Sequence, residues 1–543
     1  MRSDRYFFAL KILYRLVYTD RTKIHRETMQ AMYADILEDV SKDTSILETT
    51  DRIYRTDDAQ IFSGFSNTTE IYNVKTKDPE KWLLPSESTV RVTFQLTNAA
   101  ENAAQADVAG ENMATLIAGG LHLFEQIRLI IDDNQVELVR KPGYCHVLEH
   151  LLTSSVDELK SCAENEWLYL DDGSFATGAL TEAAGVNNSA FILGTETSGA
   201  AVQVLDEYGM ADAVKYLGVN NVGANLGGYN PRYNSGFAAR WVRSHPVAEG
   251  KDIELAFPAK RLFAFFADIR CAWRGVQFEI EFTKNINYTE IIHGKGASAT
   301  AGAPIPAAAL AHTLIKKIDW IMPTLIPNTL VLEKVQRQLQ SGDKVQKVFN
   351  STTTYHTTRL SDGNPLDIDW RVQSTGKKIT RVAVGFQRAS QFSAQNDPNS
   401  TNPLTTATHS NGGVFSTLDD INAVELRFGS TILPKERYQR LSFSDAAPNF
   451  SRVYVDFCNA GGRWIDNDDG CLVSYKSFQK LYPLFVFDLS QMDLTKANTT
   501  SEDLRVVATV NAPAGDVRVI AMVSYEYPIN MYAVDGRLGV ELP

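Results

Sequence analysis

Cysteine is scarce: five in 543 residues, at Cys145, Cys162, Cys271, Cys458 and Cys471. An odd, scattered set argues against a disulfide framework and for packed thiols in a reducing compartment. Cys458 and Cys471 are the two that a hairpin could bring together. Long apolar runs are missing too, and none approaches the roughly 20 residues needed to span a bilayer. Positive charge is in deficit. Lys and Arg number 53 against 65 Asp and Glu, a formal net charge of −12, which argues against a surface devoted to nucleic acid. What remains is ordinary for a globular chain, 44% hydrophobic and 22% charged, and too long for a single core. The 26 Phe and 21 Tyr lean toward β-structure.

Catalytic patterns are also lacking. No Gly-x-Ser-x-Gly elbow occurs, and Gly218–Gly228 (GVNNVGANLGG) lacks the preceding strand and following Lys-Ser/Thr of a phosphate loop. Asp466-Asn467-Asp468-Asp469-Gly470 is one residue short of a calcium loop and has Ser477 at the twelfth position, so it reads as an acidic turn. Asp132-Asp133 and Asp419-Asp420 are adjacent carboxylates at turns or strand starts rather than a separated acid–base pair. His146 and His150 stand four apart, a spacing that can share a metal. No third ligand is evident, so both read as structural. The expectation is a non-enzymatic chain with no catalytic, cofactor or metal residue.

The positive evidence is strand periodicity. Thr89–Thr97 (TVRVTFQLT) alternates cleanly, and Leu123–Val139 is a hairpin turning at Asp132–Gln135. Ile61–Phe65, Thr69–Lys75, Leu314–Ile326, Leu330–Leu339, Lys344–Tyr355, Ile368–Val372 and Ile379–Phe386 also read as strands. Tyr144–Lys160 has helical spacing after a break at Pro142-Gly143. Within residues 1–44, Tyr6–Tyr18 forms an amphipathic basic helix. Lys11 and Arg15 share one face; Phe7, Leu10, Leu13, Tyr14 and Val17 cover the other. Its charges fit packing on its own or a neighbouring subunit, or contact with a membrane or packaged genome; Met29 is an alternative start.

Two passages resemble each other. Phe257–Thr283 holds the apolar run Leu262, Phe263, Phe265, Phe266, then after Arg274-Gly275 an alternating strand with Val276, Phe278, Ile280 and Phe282 inward. Gln479–Asp493 followed by Val517–Pro528 has the same order. Ile421–Leu433 also matches Phe124–Val136 at a constant offset of 297, from 124 to 421. Aligning Leu262 with Leu481 gives a smaller offset of 219, which leaves 78 extra residues in the first unit. The Gly/Asn-rich stretch 172–250 is almost that long. The reading is an all-β chain of two consecutive eight-stranded antiparallel sandwiches. The first covers 45–290, with a long loop at 172–250 in which Ala200–Leu205 and Ala238–Val242 are the strongest strands. A Gly/Ala/Pro linker covers 291–312, and the second sandwich 313–543, with an outer loop at 387–413.

Pro258-Ala-Lys260-Arg261-Leu262-Phe263-Ala264-Phe265-Phe266-Ala267-Asp268, with Arg274-Gly275-Val276 after it, resembles the strand pair ending the first jelly roll of Polinton, adintovirus and virophage major capsid proteins. It departs from their motif in having Ala264 where glycine is usual and no cysteine directly after Phe265. The resemblance implies a double jelly roll that forms homotrimeric, pseudo-hexameric capsomers of an icosahedral DNA-virus shell. It also implies penton and minor or cement proteins as further partners, the virion as location, and no enzymatic activity. A multi-domain carbohydrate-binding or adhesion protein, which would carry a secretion signal, and a glycan-active β-sandwich enzyme are the alternatives from other classes.

Overall fold

The computed structural model describes residues 46–56, 70–97 (except 79), 113–170, 252–295, 312–328, 345–360, 364–373, 378–388, 421–443 (except 430), 447–461, 471–490 (except 481), 504–511 and 516–541 (except 535–536), with 240, 243, 408–409 and 415–416. The N-terminal basic helix with Lys11 and Arg15, Ile61–Phe65, Ala200–Leu205, Leu330–Leu339, the Asp466–Gly470 turn and most of the loops at 172–250 and 387–413 lie outside those residues.

The first sandwich is built from β1 (Ile46–Arg55), β2 (Ile71–Lys75), β3 (Thr89–Thr97), β4 (Phe124–Ile131), β5 (Asn134–Arg140), β6 (Ile253–Pro258), β7 (Phe278–Lys284) and β8 (His312–Pro327). The second uses β9 (Val345–Arg359), β10 (Leu366–Gln373), β11 (Lys378–Arg388), β12 (Ile421–Phe428), β13 (Thr431–Tyr438), β14 (Phe485–Asp488), β15 (Leu504–Val510) and β16 (Val517–Val534). The first pair of sheets runs β1-β8-β3-β6 and β2-β7-β4-β5, and the second runs β9-β16-β11-β14 and β10-β15-β12-β13. All of these pairings are antiparallel. This is the strand order of a jelly roll, and it occurs twice.

The alternation seen in the sequence sets the inward faces. Val90, Val92, Phe94 and Leu96 of β3 are all buried, as are Phe124, Ile127, Leu129 and Ile131 of β4. The hairpin β4–β5 pairs Ile131 with Asn134. Asp132 and Asp133 between them both have positive φ, 47° and 65°, the backbone of a type I′ turn that matches strand twist.

Helices lie between the strands: α1 (Pro142–Thr153), α2 (Val156–Glu166), α3 (Ala259–Leu262), α4 (Ala264–Asp268), α5 (Tyr288–Ile291), α6 (Ser451–Ala460) and α7 (Tyr475–Lys480). The helical spacing over Tyr144–Lys160 is realised as α1 and α2, with Ser155 capping α2 by accepting a hydrogen bond from the Glu158 amide at 3.2 Å. Pro142-Gly143 is the first turn of α1 rather than a break before it. Proline suits that position because its missing N–H would be unpaired there anyway. Gly143 is required by packing: a Cβ there would sit 2.3 Å from the His122 ring.

Five further expectations are corrected. Leu262–Phe266 is not a strand; Pro258 ends β6 and the chain turns into α3 and α4. Its apolar residues are buried because the two helical turns pack into the core of the first sandwich, with Phe263, Phe265 and Phe266 at most 1% exposed. The alignment of Leu262 with Leu481 therefore compared unlike elements. Equivalent strands β6 and β14 begin at 253 and 485, an offset of 232, and the partner of β7 is β15 rather than β16. The offset of 297 is confirmed for β4/β12 and β5/β13. The strand read at Leu314–Ile326 exists, but as β8 it is a central strand of the first sandwich, paired with β1 and β3; the boundary at 312/313 is misplaced. Alternation shows that a strand has one buried face, and only backbone pairing shows in which sheet. The stretch 291–312 is likewise not all linker, since Ile292–Lys295 pairs with Met113–Leu116. Within Ala238–Val242, Arg240 is helical.

Candidate functional site at the seam of the two sandwiches

The two hydrophobic cores exchange side chains. Phe349 of β9, 0% exposed, and Ile529 of β16 belong to the core of the first sandwich. Phe349 meets Phe265 edge-on with ring centroids 5.6 Å apart and stacks on Tyr527 at 5.4 Å. In return α1 and α2 give Tyr144, Val147, Leu148, Leu151, Leu152 and Leu159 to the core of the second sandwich. That explains why Val382, Ala383 and Val384 of β11, and Ile520 to Val523 of β16, are buried on both faces: the first unit covers the outer face of their sheet. The two cores thus interlock across the seam, each holding side chains from the other unit.

Polar contacts fix its register. The Arg140 amide donates to Thr353 Oγ1 at 3.3 Å, the Asn350 amide donates to Asp268 at 3.0 Å, and Cys145 Sγ lies 2.8 Å from Thr354 Oγ1. Arg381 of β11 pairs with Glu149 of α1. Deeper in, Glu290 of α5 lies 2.7 Å from Arg518 of β16 and 3.3 Å from Lys141. Burial alone would push the Glu290 carboxyl up, but the Lys141 and Arg518 charges outweigh it and hold it below the usual range. Burial, and then the charges of those same cations, push His356 down.

Glu137 of β5 is the opposite case. Burial raises its carboxyl to about 7, against the hydrogen bonds it accepts from the Phe265 amide at 3.0 Å, from Ser351, and from the Ala264 amide at 3.3 Å. A carboxyl raised on folding contributes stability that is complete below its unfolded value near 4.5 and is lost as pH rises through about 7. Glu137→Gln mimics the protonated form. It should be close to neutral at pH 5 and should stabilise the chain by about 1–3 kcal/mol at pH 8. Thermal unfolding at the two pH values checks this. Equal effects at both would remove Glu137 as the source of an alkaline loosening of the seam.

A cavity of about 830 Å³ opens along the seam, lined among others by His146, Glu149, Arg261, Asp268, Asn350 and Arg381. At one end the α1 histidines meet Glu166 of α2. Glu166 Oε2 is 2.7 Å from His146 Nε2 and 3.4 Å from His150 Nε2. Burial pushes the Glu166 carboxyl up, but hydrogen bonds from the two imidazoles and the charges of His146 and Arg261 outweigh it and bring it to about 2. Burial dominates at His146 and lowers it to about 4, so its ring is neutral at physiological pH. The histidine pair was legible in the sequence. Its third partner was not, because Glu166 is brought in by the turn between α1 and α2.

Other residues singled out in the sequence lie elsewhere. Asp132 and Asp133 sit at the exposed hairpin tip, where an Asp132 carboxylate oxygen accepts the Gln277 amide at 2.8 Å. Cys458 and Cys471 do approach, and their thiols share a hydrogen bond without forming a disulfide. Among the described residues no helix is long and apolar enough to cross a membrane.

No protein-family model matches the chain, and no curated protein matches it significantly. Solved structures do. The Faustovirus major capsid protein shares 10% identity, with 89% of this chain and 90% of that one covered and a TM-score of 0.48. A chain of the Sputnik virophage structure shares 10% identity over 92% and 89%, with a TM-score of 0.49. The mavirus major capsid protein shares 12% identity over 91% and 90%, with a TM-score of 0.44. The strand order of this chain, the jelly-roll order occurring twice, decides the fold. The fold is a double jelly roll.

Proposed function

We propose that this chain is a major capsid protein, a non-enzymatic shell subunit of a DNA virus located in the virion. The observation that carries the reading is the seam. Two jelly rolls of identical strand order exchange core side chains across it, so a single subunit presents two similar blocks side by side, and three copies supply six around an axis. Such a unit works through interfaces rather than through a reactive centre. Apolar side chains for that purpose stand out on β1 and β8, where Leu47, Ile53 and Ile326 are each about half exposed or more.

On this reading the homotrimer is a pseudo-hexameric capsomer, and its partners are further trimers, penton subunits and minor or cement proteins in an icosahedral lattice. The stretches 172–250 and 387–413 form outward towers, while Lys11 and Arg15 face a membrane or the genome inside. The test is native mass spectrometry with negative-stain class averages on the full chain. Hexagonal particles at three times 60.3 kDa are expected. A monomer at every concentration and salt would sink the proposal, and binding on a glycan array would then favour a carbohydrate-binding protein.

A further inference from the structure

We propose that His146, His150 and Glu166 form a binding site for one divalent transition-metal ion of the zinc type, with Arg261 occupying the ion's place when it is absent. The three side chains are 3%, 4% and 3% exposed, and their ligand atoms all lie within 4.8 Å of one another. Two imidazoles one helical turn apart on α1 and a carboxylate from α2 make an N₂O set. Imidazole donors favour zinc-like ions over the hard ions magnesium and calcium. Ligands on a tetrahedral zinc ion at about 2.0–2.2 Å stand roughly 3.3–3.5 Å from each other. The separation of His150 Nε2 from Glu166 Oε2, 3.4 Å, already has that value. The 2.7 Å contact from His146 Nε2 to the same oxygen opens by less than 1 Å, roughly, to reach it.

The surroundings suit a ligand set. His150 Nδ1 is 2.6 Å from Ser154 Oγ, an outer contact that orients the ring and leaves Nε2 for the ion. His146 Nδ1 is buried and has no hydrogen-bond partner among the described residues, so hydrogen bonding alone does not account for the placement of this ring. The seam cavity reaches His146 and His150 and provides a path of entry and room for a water as fourth ligand.

Arg261 is the competitor. Its Nη1 lies 2.6 Å from His150 Nε2 and its Nε 3.4 Å from Glu166, so a guanidinium now serves as the cation of the site. Its side chain is 25% exposed, and Nη2 also holds Glu158 at 2.8 Å. Glu158 lines the same cavity, so Arg261 can swing toward it and stay paired when an ion enters. Arg261 and the metal exclude each other, and removing the guanidinium should tighten binding.

The experiment uses the full chain without a histidine tag, stripped with a chelator and dialysed. It is titrated with Zn²⁺ by calorimetry and with Co²⁺ by visible absorption, which reports tetrahedral coordination. The expected result is one ion per chain, affinity raised about tenfold or more in Arg261→Met, and affinity lowered roughly 10–100-fold or more in Glu166→Gln and His150→Gln. Near-ultraviolet circular dichroism verifies the fold of each variant. If the glutamate or histidine variant does not fold, Arg261→Met decides, because its side chain is partly exposed and belongs to neither core cluster. Absence of stoichiometric binding in both the wild type and Arg261→Met would overturn the site. So would binding that folded Glu166→Gln and His150→Gln leave unchanged.

Discussion

Phe349→Ala should destabilise the chain by about 3–5 kcal/mol and split one unfolding transition into two. The side chain belongs to a strand of the second sandwich, yet it is 0% exposed within the core of the first, against Phe265 and Tyr527. Alanine leaves a cavity that the surrounding strands cannot close without moving one sandwich against the other. The lost aromatic contacts therefore come out of the coupling between the units as well as out of either core. Differential scanning calorimetry distinguishes the cases. Two resolved transitions, with the first unit melting earlier, are expected. A single transition shifted by no more than a surface substitution would shift it would show that the seam is held elsewhere. Capsomer assembly should fail in parallel, because the relation between the two blocks is then no longer fixed.

The second large effect is expected at Glu290. Its carboxylate is 5% exposed and answers Arg518 and Lys141, themselves 10% and 13% exposed in their side chains. Glu290→Gln removes the buried carboxylate that Arg518 and Lys141 share and leaves Lys141 only the half-exposed Glu125 at 2.8 Å, which should cost about 3–5 kcal/mol. Removing a cation as well should restore much of that. Glu290→Gln/Arg518→Met should therefore be more stable than Glu290→Gln alone, since apolar replacement of a buried pair is often neutral. Urea denaturation of the two single variants and the double variant measures the coupling. Strict additivity would mean that Glu290 and Arg518 do not act on each other. The pH dependence has a sign opposite to that of Glu137. A carboxyl lowered on folding contributes stability that is present above its unfolded value and is lost as pH falls through its folded one. The seam thus loosens in acid at Glu290 and in alkali at Glu137.

Much of the fold was legible in the sequence where one physical pattern had one meaning. Thr89–Thr97 alternates, one of its faces is buried, and it is a strand over those same residues. The offset of 297 held because the first strand of the repeated hairpin has the same length in both units, Phe124–Ile131 matching Ile421–Phe428, and the second strand starts three residues after it ends in each. Reading failed where a pattern was ambiguous. Leu262–Phe266 is apolar in nearly every position, which suits a strand buried on both faces and equally a helical plug. The buried carboxylates were missed for a different reason. Glu137 and Glu166 carry no local mark of burial, since each is enclosed by residues distant in sequence, Phe265 and Ser351 for one and His146 with Arg261 for the other.

The sequence by itself determined that the chain is β-rich, that it repeats, and that a helical stretch follows the first hairpin. Each is a property of local periodicity or composition, and a neighbour in the chain is enough to express it. Tertiary structure alone decided that His312–Pro327 closes the first sandwich, that α1 serves the core of the second, and that Glu166 joins two histidines beside an arginine. Those facts depend on which surfaces meet after the strands have paired. Backbone hydrogen bonds and apolar burial reward many pairings nearly equally until side-chain volume and buried charge select one.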